Sequence, residues 1–310
     1  MSRVSPCLAG SAELPIRGPF DLTASARFLE GFAPAGRPDA AAEPGSLRLA
    51  FTCSPSWRPV GVRIRQGGEV TADVYGEPTD VDAAAAHSAR ILSLDVDGAG
   101  FADVGTRDPV VARLQAAYPG LRPVLFHSPY EAACWTIIGH RIRIVQAAAL
   151  KQRIAERIGD AVEFQEGLVL RSFPPPQRLL ATTDIPGLPR VKLRRLHGVA
   201  AAALEGTLAA ERLRGMGTTR ALAELQRLPG IGPFSAELIL VRGAGHPDVF
   251  PTAERRLHEE MVRTYRLENG SVQDLAAIAE RWRPYRSWVA LLFRTRREED
   301  TAEIASGAMR

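Results

Sequence analysis

One stretch restricts this chain more than any other: Leu225-Gln226-Arg227-Leu228-Pro229-Gly230-Ile231-Gly232-Pro233-Phe234-Ser235-Ala236-Glu237-Leu238-Ile239-Leu240. Leu222, Leu225 and Leu228 keep helical spacing until Pro229-Gly230 breaks it. A second helix restarts at Pro233, whose missing N–H costs nothing in a first turn. Ala236, Ile239 and Leu240 supply its buried face. Two helices joined by Pro-Gly-Ile-Gly form a hairpin so tight that only glycine lets another backbone approach closely. The backbone of Gly230, Ile231 and Gly232, with Ser235 in the fresh helical turn, then faces outward, where a phosphate oxygen fits. Such contacts carry no base information, so they imply a nucleic-acid backbone gripped without regard to sequence. An ordinary αα-hairpin with a glycine turn is the alternative. The full pattern, with apolar spacing on both sides of the turn, favours the DNA-binding hairpin.

The rest of the chain divides at about residue 100. Residues 1–18 lack periodicity and are expected to form a loose arm. A short helix is expected from Phe20 to Phe32, with Leu22, Ala26 and Leu29 on one face. Strand alternation follows at Leu47–Thr52, Val60–Gln66, Val70–Tyr75 and Ile91–Val96, with Gly67-Gly68 as a turn. Residues 19–105 therefore read as an antiparallel sheet domain, open on one face. Residues 106–310 repeat helix, short loop, helix. Helices are expected at Asp108–Tyr118, Tyr130–Gly139, Ile142–Ile158, Gln177–Thr182, Leu188–Gly206, Thr219–Leu228, Pro233–Val241, Ala253–Tyr265, Val272–Arg281 and Tyr285–Arg294. The fold class is α+β: a small N-terminal antiparallel sheet domain, then an all-helical body.

Composition narrows the function classes. The 310 residues, 45% hydrophobic and 24% charged, are those of a globular chain with an ample core. A net charge of +4 and a pI near 9.2 permit nucleic-acid binding without requiring it. Lys151 and Lys192 are the two lysines, so arginine carries nearly all the positive charge. Cys7, Cys53 and Cys134 fit neither a disulfide framework nor a metal-ligand spacing. No apolar run reaches membrane-spanning length and no signal-peptide core opens the chain, so a cytoplasmic or nucleoid location is expected.

Three stretches together carry a family resemblance: the hairpin, Asp248-Val249-Phe250-Pro251 with Glu254 behind it, and Glu280-Arg281-Trp282-Arg283-Pro284-Tyr285-Arg286-Ser287-Trp288. In order and spacing the chain resembles the helix-hairpin-helix DNA glycosylases, within them the 3-methyladenine DNA glycosylase II branch. The resemblance implies excision of alkylated or otherwise damaged bases from double-stranded DNA, with the chain expected to act as a monomer. With no cysteine cluster after the hairpin, no iron–sulfur cluster and no other cofactor are expected, though a backbone-bound monovalent cation at the hairpin is compatible with the family.

The resemblance also assigns roles. The family's catalytic aspartate sits six residues after the aspartate of the Asp-Val-Phe segment, and that count from Asp248 reaches Glu254. A carboxylate there can stabilise the sugar cation formed as an N-glycosidic bond breaks. A solvated glutamate at a helix N-terminus is the other reading. Bifunctional relatives place a nucleophilic lysine where this chain has Phe234, so no Schiff base forms and a monofunctional enzyme is expected. The flipped base needs a pocket, implied at Phe234, Leu238 and Arg294. An arginine at the last position would repel a cationic base. Trp282, Tyr285 and Trp288 read as core and rim packing. The gap-filling loop corresponds to Gly139-His140-Arg141-Ile142-Arg143, where Arg141 could enter the base stack and His140 or Arg143 could reach a phosphate. Without working chemistry the same fold would be a DNA-binding protein only.

Overall fold

The computed structural model describes residues 3–4, 7–165 and 167–302. The N-terminal part runs β1 (Arg3–Val4), β2 (Leu8–Glu13), α1 (Leu22–Gly31), β3 (Ser46–Cys53), β4 (Arg58–Gln66), β5 (Val70–Tyr75) and α2 (Val81–Ile91). The strands β2-β5-β4-β3, in that order, make an antiparallel sheet. Alternation puts Leu47, Leu49 and Phe51 on the same face as Val60, Val62 and Ile64, and α1 and α2 cover that face with Leu22, Ala26, Leu29, Ala84 and Ile91. Asp21 starts α1 by accepting from the amides of Thr23 and Ala24.

The body continues through α3 (Ala102–Arg107), α4 (Pro109–Ala117), α5 (Pro129–Gly139), α6 (Ile144–Ile158), β6 (Ala161–Glu163), β7 (Val169–Arg171), α7 (Pro176–Leu180), α8 (Arg190–Leu204), α9 (Ala210–Gly215), α10 (Thr218–Leu225), α11 (Pro233–Leu238), α12 (Arg255–Tyr265), α13 (Val272–Ala279) and α14 (Arg286–Thr301). Sequence chemistry sets several starts. Asp108 and Ser128 cap α4 and α5, each followed by proline in the first turn, and Ser271 with Asp274 forms a capping box on α13.

Several elements differ from the sequence expectation. Residues 8–13 are a strand: β2 pairs with β5 from Leu8↔Tyr75 to Glu13↔Thr71, because β5 would otherwise present an unpaired edge. Ile91–Val96 is no strand. The alanine run Ala83–Ala86 favours helix, α2 ends at Ile91, and the buried Leu92 and Leu94 of the following turn mimic strand alternation. Nor is the second sheet face open. The small sheet β1-β6-β7 lies against it, and Gly61 in β4 permits the approach: a Cβ there would stand 2.5 Å from Val162 and 3.1 Å from Phe164. The helical body thus carries a short hairpin of its own.

The helical body holds two hydrophobic clusters. Residues 126–249 pack around Tyr130, Ile138, Leu196, Leu225 and Leu240. Leu114 and Leu121 pack instead with Phe250, Leu257, Met261, Trp282 and Phe293. The chain therefore begins one cluster, builds the other, and returns. Buried arginines tie these parts to the sheet domain: Arg90 donates to the Gly243 carbonyl at 2.6 Å, and Arg122 to those of Pro19 and Ser93 at 2.9 and 3.1 Å. Where the clusters meet, residues of α1, α5, α11 and α14 line a cavity of about 930 Å³. No helix among the described residues is long and apolar enough to cross a membrane.

Candidate active site and nucleic-acid interface

The hairpin forms as the spacing requires. α10 ends after Leu225, Gly230 takes φ +94°, and Gly232 precedes Pro233 in the first turn of α11. A Cβ on Gly230 would lie 2.7 Å from Cδ of Arg195, so the turn is glycine-dependent twice over. No side chain caps α11, which leaves the amides of Phe234 and Ser235 facing outward without intrahelical partners. Ile231 plays a different part from the one its place in the motif implies. Its side chain is buried in the core and its amide donates to the Leu228 carbonyl at 3.0 Å, so it anchors the turn and has no donor left for a ligand.

Glu254 occupies the N-cap position of α12, with its side chain 23% exposed, on the wall of the cavity. The segment ahead of it is fixed at nearly every peptide. Ser287 donates from its amide to the Pro247 carbonyl, and its hydroxyl both accepts from the Val249 amide and donates to the Val249 carbonyl. Asp248 is clamped by Arg286, through Nε at 2.8 Å, and by Arg283 at 2.7 Å. The imidazole Nε2 of His258 meets the Pro251 carbonyl at 2.9 Å. Glu237, only 5% exposed on α11, accepts from the amides of Thr252 and Ala253 at 2.9 and 2.8 Å and from the Thr252 hydroxyl. The second helix of the hairpin thus holds the loop that presents Glu254. Such over-determination fixes the backbone from which the Glu254 side chain projects.

Phe234, Leu238 and Arg294 line the same cavity as Glu254. Phe234 is 45% exposed at the start of α11. The Arg294 guanidinium, 20% exposed, has its Nε 3.8 Å from a Glu254 carboxylate oxygen. Burial pulls the Arg294 pKa down while Glu254 opposes that shift. Trp282, Tyr285 and Trp288 lie in the core, as expected: Trp282 donates to Asp108 at 3.2 Å, and Phe101 packs edge-on against the other two.

On the cavity's other wall, α5 and α6 are joined by a turn that carries His140, Arg141 and Arg143, all exposed. Arg141 takes φ +58°, the left-handed turn that ends α5, a conformation that costs a non-glycine residue about 1 kcal/mol or more. Lys192 holds it from beneath, donating to the carbonyls of Ile138 at 2.7 Å and His140 at 2.8 Å. Partial burial and then the cations Arg141, Arg195 and Lys192 hold His140 below the ordinary histidine value.

Three contributors escaped the sequence reading: Glu237, Lys192 and Arg195. The signals were an acidic residue on the otherwise apolar side of α11 and the basic run Arg190-Val191-Lys192-Leu193-Arg194-Arg195. Among the described residues no three His, Cys, Asp or Glu side chains gather as a metal site, and Cys7, Cys53 and Cys134 are free thiols.

This chain, with its glycine-turned hairpin, carboxylate-walled cavity and small antiparallel sheet, shares its fold with solved DNA glycosylases. It is most usefully compared with the 3-methyladenine DNA glycosylase from Archaeoglobus fulgidus, which superposes with a TM-score of 0.74 over 94% of this chain and 99% of that one, at 24% identity. In sequence it resembles the DNA-3-methyladenine glycosylase 2 of Escherichia coli, 33% identical over 58% of this chain and 62% of that protein. It is also similar to the DNA-3-methyladenine glycosylase of Bacillus subtilis, 28% identical over 64% of this chain and 66% of that one. The chain thus spans just under two thirds of each of these relatives in length. No protein-family model matches it.

Proposed function

We propose that this protein is a monofunctional DNA glycosylase of base-excision repair, hydrolysing the N-glycosidic bond of alkylated or otherwise damaged bases in duplex DNA. The observation that carries the proposal is the coupling of Glu254 to the hairpin through Glu237: the element that would grip phosphate also fixes the carboxylate. In this reading the Gly232–Ser235 backbone holds the strand. Arg141 enters the space left by the extruded base, and Glu254 stabilises the cationic sugar while water adds to it. Phe234, where bifunctional relatives carry lysine, supplies no amine, so the abasic site is left uncut. No resident cofactor is required, a monovalent cation on the hairpin backbone being compatible with this reading, and the protein acts as a monomer in the cytoplasm or nucleoid. The names of its relatives, with the fold, support this reading.

A second reading, DNA binding with little or no catalysis, is favoured by one feature: Arg294 faces Glu254, which partly offsets the charge that catalysis uses. Release of free base from methylated duplex DNA by wild type and by Glu254→Gln separates the two. Release by wild type and its loss in the variant are expected; tight duplex binding with no release from any damaged substrate would establish the second reading.

A further inference from the structure

The proposed excision leaves open which bases the cavity accepts, and its charge bears directly on that choice. Six arginines and five carboxylates line it, and among the arginines Arg294 and Arg242 both sense the charge of Glu254. Arg294 makes no hydrogen bond among the described residues, and its nearest charged partner, Glu254, stands beyond hydrogen-bond distance at 3.8 Å. Its N–H donors therefore await acceptors. Arg242 is buried and spends one nitrogen on the Val124 carbonyl at 2.7 Å, while its Nε has no partner.

Arg242 also occupies aromatic surface. Phe28 and Phe32 line the cavity, with their rings 5.6 Å apart, and the Arg242 guanidinium carbon sits 5.2 Å from one centroid and 4.7 Å from the other. A cationic alkylated base gains from a free π-face. Here an internal cation already draws on that pair. Glu254 balances one of these two guanidinium charges, and the lining as a whole, six arginines against five carboxylates, also keeps a net positive charge. Both arginines have their pKa drawn down by burial, Arg242 to about 10, and each then senses the other charges of the trio or its neighbours. At about 10, Arg242 remains protonated at neutral pH.

We infer that the cavity selects neutral bases with carbonyl acceptors on their edge, the chemistry of a deaminated or oxidised purine, over cationic alkylated ones, with Arg294 as the specificity-determining residue. This rests on the glycosylase reading for the position of the flipped base. A neutral base offers its carbonyl oxygen to the Arg294 fork. A base with a fixed positive charge meets the net positive charge of the lining and has no lone pair at its alkylated nitrogen. A guanidinium fork that meets both O6 and N7 of hypoxanthine meets O6 alone in 7-methylguanine, and one charge-assisted hydrogen bond corresponds to roughly ten- to hundredfold in affinity.

The test reads binding separately from bond cleavage. Duplexes carrying 2′-fluoro nucleotides, which resist excision, would present hypoxanthine or 7-methylguanine at one site, with an undamaged duplex as reference. Wild type is expected to bind the hypoxanthine duplex at least about tenfold more tightly than the 7-methylguanine duplex. Arg294→Leu should bring the two within about threefold, and Arg294→Gln, which keeps donors without charge, should gain affinity for 7-methylguanine. Equal or preferred binding of the cationic base by wild type overturns the inference, as does a preference unchanged in a folded Arg294→Leu protein. Failure to release any base from cleavable DNA alongside the expected binding preference would instead count against the glycosylase reading alone.

Discussion

Glu237→Gln perturbs the join between hairpin and candidate carboxylate with little change in volume. In the native protein three donors converge on the two carboxylate oxygens of Glu237: the Thr252 amide, the Thr252 hydroxyl and the Ala253 amide. Glutamine keeps one acceptor oxygen and turns an NH2 towards at least one of those donors. One buried N–H or O–H then loses its partner, at about 1–3 kcal/mol, and the remaining bonds lose charge assistance, roughly half their strength. The sum is about 2–4 kcal/mol, which a domain of ordinary stability survives. Because the cost falls on residues 252–253, much of it is relieved by a local shift of the loop that ends at Glu254. A displacement of about 1 Å at a reacting group lowers rates on the order of 100-fold. Urea unfolding is expected to report the stability loss. Single-turnover base release is expected to slow 10- to 100-fold, while affinity for a duplex with an abasic-site mimic changes less than about threefold, because the hairpin amides are untouched. Glu237→Asp, one methylene short of both amides, should behave alike. Stability within about 0.5 kcal/mol of wild type, together with an unchanged release rate, would refute the view that Glu237 sets the position of Glu254.

Other consequences are open to simple measurements. Gly230→Ala forces a Cβ at φ +94° to within 2.7 Å of Arg195, so unfolding experiments should show a loss of about 1–2 kcal/mol and gel shifts several-fold weaker binding of undamaged duplex. Lys192→Met leaves the Ile138 and His140 carbonyls without their donor. Amide exchange at residues 138–143 should accelerate, and duplex affinity should fall about tenfold through loss of the ordered Arg141 tip. His87 is buried, stacks on Phe51 and meets the His127 carbonyl through Nε2; burial first, then Arg90, lowers its pKa from 6.5 to about 3. The unfolded chain therefore binds one more proton between those values. Stability fully present above pH 6.5 is lost as pH falls towards 3, on the order of 1 kcal/mol per pH unit, and His87→Gln should flatten the urea-stability slope between pH 6 and 4 by that one proton.

Much of this architecture is written locally. Spacing at Leu222, Leu225 and Leu228, the Pro-Gly break and Pro233 together dictate a hairpin, since no other backbone suits those residues in that order. Strands β3, β4 and β5 were likewise legible, from the alternate apolar residues Leu47, Leu49 and Phe51, Val60, Val62 and Ile64, and Val70, Ala72 and Val74. β2 was not, because Gly10, Ser11 and Ala12 carry no apolar signal and the strand exists only through the edge that β5 offers it. The helix α2 was hidden by the apolar Ile91, Leu92 and Leu94 at its end. At the site, the count from Asp248 located Glu254, but two of its supports lie on other helices, Glu237 on α11 and Ser287 on α14, and the nearby His258 shows its role only once folded back on Pro251. The same holds for Arg242, whose stacking on Phe28 and Phe32 joins residues about 200 positions apart. Local pattern names the parts; only tertiary packing shows which part braces which.

Base excision by this protein depends on Glu254 reaching the deoxyribose of a strand held by the hairpin. A crystal structure with a duplex containing a pyrrolidine abasic-site mimic, whose ring nitrogen carries the positive charge of the reacting sugar, measures this directly. The expected result is a Glu254 carboxylate oxygen within about 3–3.5 Å of that nitrogen while the amides of Phe234 and Ser235 contact a neighbouring phosphate. A pyrrolidine ring remote from Glu254, with the hairpin nonetheless on the phosphate, would contradict the catalytic assignment and leave a protein that clamps DNA without cutting its glycosidic bonds.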